Sequence, residues 1–459
     1  MDSIGLRFDE NALWPLLDPF SRDRTAFWSL DGALSQGALH ALASTLAGQL
    51  PDRPVAVIYC EGRDCFTVAL LAVWIRGQTA IFPADPTAHV FQLLTADYPD
   101  LYCLTDTALP FETSPVVKVS TAAIADVDDI PPKVLAATHP AIKIFTSGST
   151  GKPSVNDKTW GMLVAGCKTV RTMFGLGDLP HYNVVATVPS QHMYGFEIGI
   201  MNVLQGGVAV HSERPIFPSD IARCLNQVPS PRVLVTTPIH LRTLVESGIA
   251  LPALRQIVSA TAPLSEDLAR RTENHLGAPV WEIYGFTEAG SVAGRQTTAG
   301  EIWSLREDFV ARDDGNQQYV EWSAFNLRIP FPDKVEILDP TRIRLRGRTQ
   351  DIVNVAGKRA SLSGLTAKLL QIDGVEDGVF WQPAEDEGQG KVLRLVAFVV
   401  APESSQDAIR HELKQCMDPA FLPRKVFFVE ALGRNATGKL PQEALRDLAS
   451  YHLARSADQ

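Results

Sequence analysis

Residues 145–153 read Phe145-Thr146-Ser147-Gly148-Ser149-Thr150-Gly151-Lys152-Pro153 and end an apolar run, 141–145, of the kind that forms a buried strand. Glycine lets a backbone close around phosphate oxygens, and the serine and threonine hydroxyls add donors. The segment is not a Walker loop, because Thr146 stands where that motif needs glycine and Pro153 where it needs serine or threonine. An ordinary Gly/Ser turn is the alternative to a phosphate-binding loop.

The segments around this loop alternate between strand and helix patterns from about residue 35 to 290. Short continuous apolar runs predict buried strands at 54–59, 141–145, 184–188, 208–211, 233–236 and 256–259. Helical spacing of apolar residues occupies segments between them, for example 264–276. This alternation predicts parallel sheets covered by helices on both faces.

The pattern changes after about residue 300. Apolar and polar residues alternate in parts of the segment 300–348, which predicts an antiparallel β subdomain. After Gly357 the order is helix, two strands, helix and strand, which predicts a small α+β unit. The predicted fold class is therefore α/β, with a large N-terminal domain over 1–350 and a small mobile C-terminal domain over 351–459.

Composition and charge exclude several classes of protein. The 459 residues are 45% hydrophobic and 20% charged, with a formal net charge of −10 from 42 Lys+Arg and 52 Asp+Glu. A general nucleic-acid binder would need a basic face, so no nucleic-acid partner is expected. The longest apolar run, 66–75, is about half of what a bilayer crossing needs, and the first residues do not resemble a signal peptide. These features predict a soluble cytoplasmic protein without membrane insertion.

Further motifs follow predicted strands or lie in the last domain. They are Pro189-Ser190-Gln191-His192-Met193-Tyr194-Gly195, Ser259-Ala260-Thr261-Ala262-Pro263-Leu264, Tyr284-Gly285-Phe286-Thr287-Glu288, Gly347-Arg348-Thr349-Gln350-Asp351-Ile352-Val353-Asn354-Val355-Ala356-Gly357-Lys358-Arg359 and Asn435-Ala436-Thr437-Gly438-Lys439. Together with the loop at 145–153, and in this order, they resemble the adenylate-forming superfamily of acyl- and aryl-CoA synthetases, firefly luciferase and peptide-synthetase adenylation domains. One such motif would be weak evidence, whereas several in order over nearly the whole chain are strong evidence.

The resemblance implies a binding site for ATP and Mg²⁺. In the family's pattern the loop Thr146–Gly151 holds the β- and γ-phosphates, and Tyr284 stacks on the adenine. Thr287 would bond the α-phosphate, and Glu288 would hold Mg²⁺, a hard cation that prefers oxygen ligands. The other implied nucleotide contacts are Lys152, Ala260, Thr261, Ala262, Gly285, Asp333 (on the ribose), Arg348 and Arg359.

The resemblance also implies two residues that act on the carboxylate. Lys439 would neutralise charge as the acid attacks the α-phosphate, and His192 would line the carboxylate pocket. Each functional residue has an ordinary alternative: His192 as a structural histidine, Lys439 as a solvated surface charge, and Glu288 as the acid that begins a helix.

The chain departs from the family's usual pattern at three places. Ser154 stands where the phosphate loop usually continues with lysine, so that Lys152 or Lys158 would have to substitute. Gln350 stands at the hinge, where Asp or Lys is usual, and Ser361-Leu362-Ser363-Gly364 lacks the usual Pro-x-Glu. The retained motif residues favour a divergent ligase over a loss of function.

The reaction implied is the joining of a carboxylic acid to AMP, followed by transfer of the acyl group to a thiol after rotation about Gln350. Met193 stands about where amino-acid adenylation domains carry an Asp, which disfavours an amino acid. The remaining pocket candidates (Tyr194, Phe196, Glu197, Thr237, Phe286) are aromatic and compact, which favours a small aryl acid such as a hydroxybenzoate.

Three features together resemble the aryl-polyene and xanthomonadin ligases, which load aryl acids onto acyl carrier protein: the short chain, the divergent phosphate loop and the segment Lys158-Thr159-Trp160. Free CoA is the alternative acceptor, and a luciferase-like oxidase or a non-catalytic acyl-adenylate sensor are alternative functions. Glu197 has two interpretations, as a helix-terminal acid or as an acceptor for a phenolic hydroxyl of the substrate.

Overall fold

The fold is known from a computed structural model. It describes residues 9, 12–83, 88–109, 113, 115–122, 131–146, 154–348, 352–355, 358–382, 395–417, 419–435, 438 and 440–455. The chain forms two compact units, the first made of Met1–Arg312, Val320–Ile329 and Asp339–Arg342, and the second made of Asp313–Tyr319, Pro330–Leu338 and Ile343–Gln459. The domain boundary at 350 stays a prediction.

The strands are numbered in chain order. Up to residue 305 they are β1 Leu13–Pro15, β2 Thr25–Ser29, β3 Gly32–Ser35, β4 Val55–Ile58, β5 Thr79–Phe82, β6 Tyr102–Thr105, β7 Val116–Lys118, β8 Val134–Ala136, β9 Pro140–Thr146, β10 Ser154–Thr159, β11 Asn183–Ala186, β12 Ala209–His211, β13 Arg232–Thr236, β14 Gln256–Ser259, β15 Val280–Phe286, β16 Gly290–Gln296 and β17 Ile302–Leu305. Where the chain passes between the units they are β18 Phe309–Asp313, β19 Gln318–Trp322, β20 Leu327–Pro330, β21 Asp333–Asp339 and β22 Arg342–Arg348. The last strands are β23 Ile352–Val355, β24 Lys358–Ser361, β25 Asp377–Trp381, β26 Val396–Val400 and β27 Lys425–Phe428.

The α-helices are numbered in the same way. They are α1 Gln36–Ala47, α2 Arg63–Ile75, α3 Ala88–Asp97, α4 Trp160–Met173, α5 Met193–Gly195, α6 Asn202–Gly206, α7 Pro218–Gln227, α8 Pro238–Ser247, α9 Glu266–Leu276, α10 Leu362–Leu369, α11 Gln406–Cys416 and α12 Gln442–Arg455. A π-helical segment, Phe196–Met201, joins α5 to α6. Among the described residues, no helix combines the length and the apolar character needed to cross a bilayer.

The first unit contains two large sheets, and both are mainly parallel. The smaller sheet has the order β10-β9-β5-β4-β6-β7, in which β10 alone runs antiparallel to its neighbour. In the larger sheet, the strands up to β17 have the order β17-β16-β15-β14-β13-β11-β12-β2-β3. The neighbours from β15 to β2 are parallel, whereas β16, β17 and β3 are antiparallel additions. The prediction of parallel sheets covered by helices is confirmed.

Helix α2 explains the longest apolar run of the sequence. Every residue from Phe66 to Trp74 is buried, because the helix packs into a core formed with strands of both sheets. Trp74 contacts Trp160 of α4 with a ring-centroid distance of 5.0 Å, and its indole N–H donates to the Ala141 carbonyl of β9 at 2.9 Å. A helix that is apolar all round is thus a core helix of the first unit.

The second unit contains the predicted α+β arrangement. Its sheet has the order β25-β26-β27, with β25 antiparallel and β27 parallel to β26. Helices α10 and α11 supply buried leucines to its core, and Arg434 forms a two-pronged ion pair with Asp377 at 2.7 Å on each arm. The turn expected at 383–390 lies outside the described residues.

Candidate active site

The motifs expected to bind substrate follow neighbouring parallel strands of the larger sheet. Strands β11, β13, β14 and β15 are adjacent, and Ser259 at the end of β14 pairs with Thr236 on one side and Glu282 on the other. Parallel strands present their carboxyl ends at one edge, which in open α/β sheets is where ligands bind. The sheet therefore brings together the His192 motif, Thr237, the segment Ala260–Ala262 and the Tyr284–Glu288 motif.

The His192 motif is a tight turn after β11. His192 is the N-cap of α5, where its Nδ1 accepts a hydrogen bond from the Tyr194 N–H at 3.4 Å. A Cβ at Gly195 would overlap the Pro189 carbonyl, so only glycine lets the chain fold back there. The turn leaves His192 partly exposed while the following residues enter the core.

Tyr194 anchors this turn to the sheet. Its hydroxyl donates to the Val258 carbonyl at 2.7 Å and also lies 3.1 Å from the Thr236 carbonyl, at the ends of β14 and β13. Burial raises the pKa of this phenol well above its ordinary value. Phe196 is fully buried against Phe82, with ring centroids 5.1 Å apart, so its ring is part of the hydrophobic core.

A polar network that the sequence motifs did not indicate lies at the same edge. His240, in the first turn of α8, places its Nδ1 2.8 Å from Thr237 Oγ1 and 3.3 Å from Thr187 Oγ1, and Thr187 Oγ1 lies 3.0 Å from Thr236 Oγ1. Burial, with a smaller contribution from Arg214, lowers the pKa of His240 to about 4. Ser259 Oγ is buried and has no hydrogen-bond partner among the residues that the structure describes.

Thr261 has an unusual backbone. Its φ of +81° is in a region that β-branched residues rarely adopt, and it stands in the motif that follows β14. Glu282 of β15 holds this segment from the side, because its Oε1 accepts the Leu264 N–H at 2.9 Å while Arg295 and Thr297 bind its Oε2. Strain that neighbouring contacts maintain is found preferentially at functional sites.

The Tyr284–Glu288 motif is a hairpin between β15 and β16. Phe286 pairs with Gly290, so Thr287, Glu288 and Ala289 form the turn. The backbones approach so closely that a Cβ on Gly285 would stand 2.6 Å from the Gly290 carbonyl oxygen. The alternative of Glu288 as the start of a helix is wrong. The Glu288 side chain is exposed on this turn, whereas Tyr284 is buried with its ring centroid 6.1 Å from that of Trp303.

A buried ion cluster lies directly behind this turn. It consists of Lys158, Glu197, Ser291, Arg306 and Asp308. The Lys158 ammonium, on β10, donates to the Glu288 backbone carbonyl, and burial lowers its pKa to about 8. This buried position does not fit the idea that Lys158 replaces the missing lysine of the phosphate loop.

Glu197 belongs to the same cluster. It stands in the first turn of the π-helical segment, where its Oε2 accepts the Ser291 N–H at 2.9 Å and the Ser291 hydroxyl at 2.7 Å. Burial raises the pKa of this carboxyl, while Arg306, Ser291 and Lys158 act in the opposite direction. Its proposed contact with a substrate hydroxyl stays a prediction.

The remaining candidates are placed only in part. Asp333 begins β21, and for Thr146, Arg348 and Arg359 the structure describes the backbone, in β9, β22 and β24. Ser154 begins β10 and pairs with Thr146, so residues 147–153 connect the two strands of a hairpin. The loop residues Ser147–Lys152, the hinge Gln350 and the catalytic candidate Lys439 lie outside the described residues.

Comparison with known proteins identifies the class. Residues 97–320 match the sequence model of the family described as AMP-binding enzyme. The chain is 27% identical over 303 residues to a 4-coumarate–CoA ligase from Halorhodospira halophila, covering 64% of this chain and 73% of the relative. It is 24% identical over 356 residues to a 3-hydroxybenzoate/4-hydroxybenzoate–CoA ligase from Thauera aromatica, covering 68% and 66%.

The fold matches solved structures over nearly its whole length. An O-succinylbenzoate coenzyme A synthetase from Bacillus subtilis, in complex with ATP and magnesium ion, superposes with a TM-score of 0.77 at 19% identity and covers 95% of this chain and 100% of that one. The structural match shows the fold, and the family match over residues 97–320 together with the CoA ligase relatives supports the resemblance to the adenylate-forming superfamily. The chain is an AMP-forming acid–thiol ligase.

Proposed function

We propose that this chain joins a small aryl acid to AMP from ATP, with release of pyrophosphate, and then transfers the acyl group to the phosphopantetheine thiol of an acyl carrier protein, with release of AMP. The observation that carries the proposal is the convergence of the His192 turn, Thr261 and the Tyr284–Glu288 hairpin at one edge of the larger sheet. That edge offers the imidazole of His192, the threonine hydroxyl of Thr287 and the exposed carboxylate of Glu288.

The residues on the turn suit a nucleotide with its metal. Thr287 offers a hydroxyl and Glu288 an exposed carboxylate, both of them oxygen donors of the kind that Mg²⁺ prefers. Mg²⁺, when bound, would spread the negative charge of the phosphates as pyrophosphate departs. Asp333, Arg348 and Arg359 remain the proposed ribose and phosphate contacts, and the loop Thr146–Lys152 the proposed holder of the pyrophosphate.

The walls of the proposed acid pocket favour a hydroxylated ring over a long acyl chain. Tyr194 is buried, with its hydroxyl bonded to the ends of β13 and β14, so only its ring would be offered to a substrate. His240, Thr237 and Ser259 add neutral polar atoms near that ring, and a neutral polar wall can bond a substrate hydroxyl without binding a second charge. Two relatives are named for aryl acids, which supports the same class of substrate.

Pyrophosphate release with a panel of acids tests the first step. We expect 3- or 4-hydroxybenzoate or 4-coumarate to exceed octanoate and glycine by at least about 10²-fold in kcat/KM, since a pocket built for a ring rejects unmatched shapes and charges. Equal rates for octanoate would contradict the aryl assignment, and no release with any acid would favour the sensor alternative.

The acceptor is tested separately, with the pre-formed acyl-AMP of an aryl acid and either CoA or a holo acyl carrier protein. We expect thioester on the carrier protein, detected as a mass increase, at a kcat/KM at least about tenfold above that for CoA. The reverse preference would make the chain an aryl-CoA synthetase.

Lys439→Ala tests the catalytic assignment in the second unit. The ammonium would act mainly on the transition state, so kcat for pyrophosphate release should fall at least about 10²-fold while ATP binding is nearly unchanged. Thioester formation from pre-formed acyl-AMP should change far less. Lys414→Ala, on α11 of the same unit, is the control and should behave as wild type. Near-normal release by Lys439→Ala would remove Lys439 from the catalytic machinery.

A further inference from the structure

The turn that carries Thr287 and Glu288 is held from behind by side chains of three distant segments. Lys158 comes from β10, the strand that follows the phosphate loop, Glu197 from the segment that follows the His192 turn, and Arg306 from the segment after β17. The buried ion cluster therefore joins the phosphate-loop hairpin, the His192 motif and the Tyr284–Glu288 hairpin at one point.

Ser291 is bonded through its amide N–H, its hydroxyl and its carbonyl. Glu197 accepts the first two at 2.9 and 2.7 Å, and Arg306 Nη1 donates to the carbonyl at 3.0 Å. Arg306 is itself fixed by a two-pronged ion pair with Asp308 at 2.6 and 3.1 Å. Ser291, three residues after Glu288, is thus held through both of its backbone polar groups and its hydroxyl.

The other side of the turn is constrained as well. The Lys158 ammonium donates to the Glu288 carbonyl, and Glu197 lies so close to Gly290 that any Cβ there would overlap its carboxylate. Gly290 has a φ of +75°, which other residues adopt only with strain. Together these contacts restrain the backbone of the turn that carries the partly exposed Thr287 and the exposed Glu288.

Stability alone does not account for this arrangement. Lys158 and Arg306 are 4% and 1% exposed, Glu197 is 5% exposed, and burying several charges costs more than filling the same volume with apolar side chains. A fully satisfied buried network does, however, impose one geometry on the groups it contacts. Catalytic groups benefit from such support, because a displacement of about 1 Å can cost about 10²-fold in rate.

We propose that Lys158 and Glu197 are positioning residues that set the Thr287–Glu288 turn against the phosphate-loop hairpin for transfer at the α-phosphate. The inference rests on the proposed function, since it concerns the same ATP-binding turn. It differs from the earlier interpretation of Glu197, in which the carboxylate contacts the aryl substrate itself.

Kinetics of pyrophosphate release in Lys158→Met and Glu197→Gln test the inference. Both variants should lose at least about tenfold in kcat and need several-fold more Mg²⁺ for half-maximal rate, because the metal-binding carboxylate is displaced. The KM for the acid should stay within about twofold. Lys143→Met is the matched control, because Lys143 is on the same β9–β10 hairpin but pairs with Asp157 at 2.7 Å, and all its constants should resemble wild type.

Ser291→Ala keeps the inference testable if a buried-charge variant does not fold. This change deletes one hydroxyl but leaves the hydrogen bond from the backbone N–H of residue 291 to Glu197. We therefore expect a normal melting curve with kcat reduced about threefold or more. Folded variants with wild-type kcat and Mg²⁺ dependence would overturn the inference.

Two further outcomes separate the alternatives. If Glu197→Gln changes the preference for hydroxybenzoate over benzoate and leaves the Mg²⁺ dependence unchanged, Glu197 is a substrate contact and the inference is wrong for that residue. A wild-type chain that releases no pyrophosphate would overturn the proposed function, whereas an active wild type with unaffected variants overturns the inference alone.

Discussion

His240 is the residue whose ionisation should be visible in the stability of the molecule. The pKa of His240 is about 4 in the folded chain, against an ordinary value of 6.5. At a pH between these values the imidazole is protonated in the unfolded chain and neutral in the folded chain. Stability is therefore lost as the pH falls through this window and is unaffected by His240 above it. At pH 5 the free energy of unfolding should be about 2 kcal/mol lower than at neutral pH because of His240.

His240→Gln should remove this pH dependence. The variant should be less stable than wild type at pH 7.5, because contacts with Thr187 and Thr237 are lost, but the difference should shrink by about 2 kcal/mol at pH 5. Denaturant unfolding of both proteins at the two pH values measures it. If wild type and variant differ in their free energy of unfolding by the same amount at both pH values, the pKa of His240 is not lowered in the folded chain.

At the scale of one element, the β15–β16 hairpin depends on Gly290. An alanine there meets both the strain of a positive φ and overlap with Glu197, so Gly290→Ala should lower the free energy of unfolding by about 2–3 kcal/mol and reduce pyrophosphate release strongly.

Gly277→Ala is the matched control for that prediction. Gly277 ends α9 with a φ of +66° and has open space around its Cα, so an alanine should cost only the backbone strain, about 1 kcal/mol, with full activity. If Gly290→Ala and Gly277→Ala had equal effects on activity, the contact between Gly290 and Glu197 would not matter for the reaction.

For the whole molecule, the prediction concerns movement between the two half-reactions. Proline fixes φ near −65°, so Gln350→Pro should stiffen the proposed hinge, keep pyrophosphate release within about threefold and reduce thioester formation at least about tenfold. Gln350→Ala, which keeps the backbone free, should support both steps.

The two steps are measured on one preparation, by pyrophosphate release and by thioester mass. Equal damage to both steps in a variant with a normal melting curve would place the hinge elsewhere, for example in the segment 312–343, where the chain passes between the two units. A lowered melting temperature would instead indicate that proline disturbs the fold.

The sequence was sufficient for the elements and for the order of the motifs. Continuous apolar runs predicted β4, β9 and β11 to β14 within about two residues, because a strand buried on both faces needs apolar residues at every position. The motifs could be assigned to the ends of strands because glycine, proline and small polar residues, which favour turns, follow these apolar runs. The side-chain positions of 147–152 and of Lys439 stay predictions.

What the sequence could not indicate is the buried ion cluster behind the Thr287–Glu288 turn and the polar network around His240. Lys158 and Glu288 are 130 residues apart, and Glu197 and Ser291 are 94 residues apart, so no local pattern marks them as partners. Local patterns encode periodicity and turns because these depend on neighbouring residues. Which buried charges meet, which histidine is neutral and which glycine faces a carboxylate depend on strand order and on packing across the sheet, and only the tertiary structure decides them.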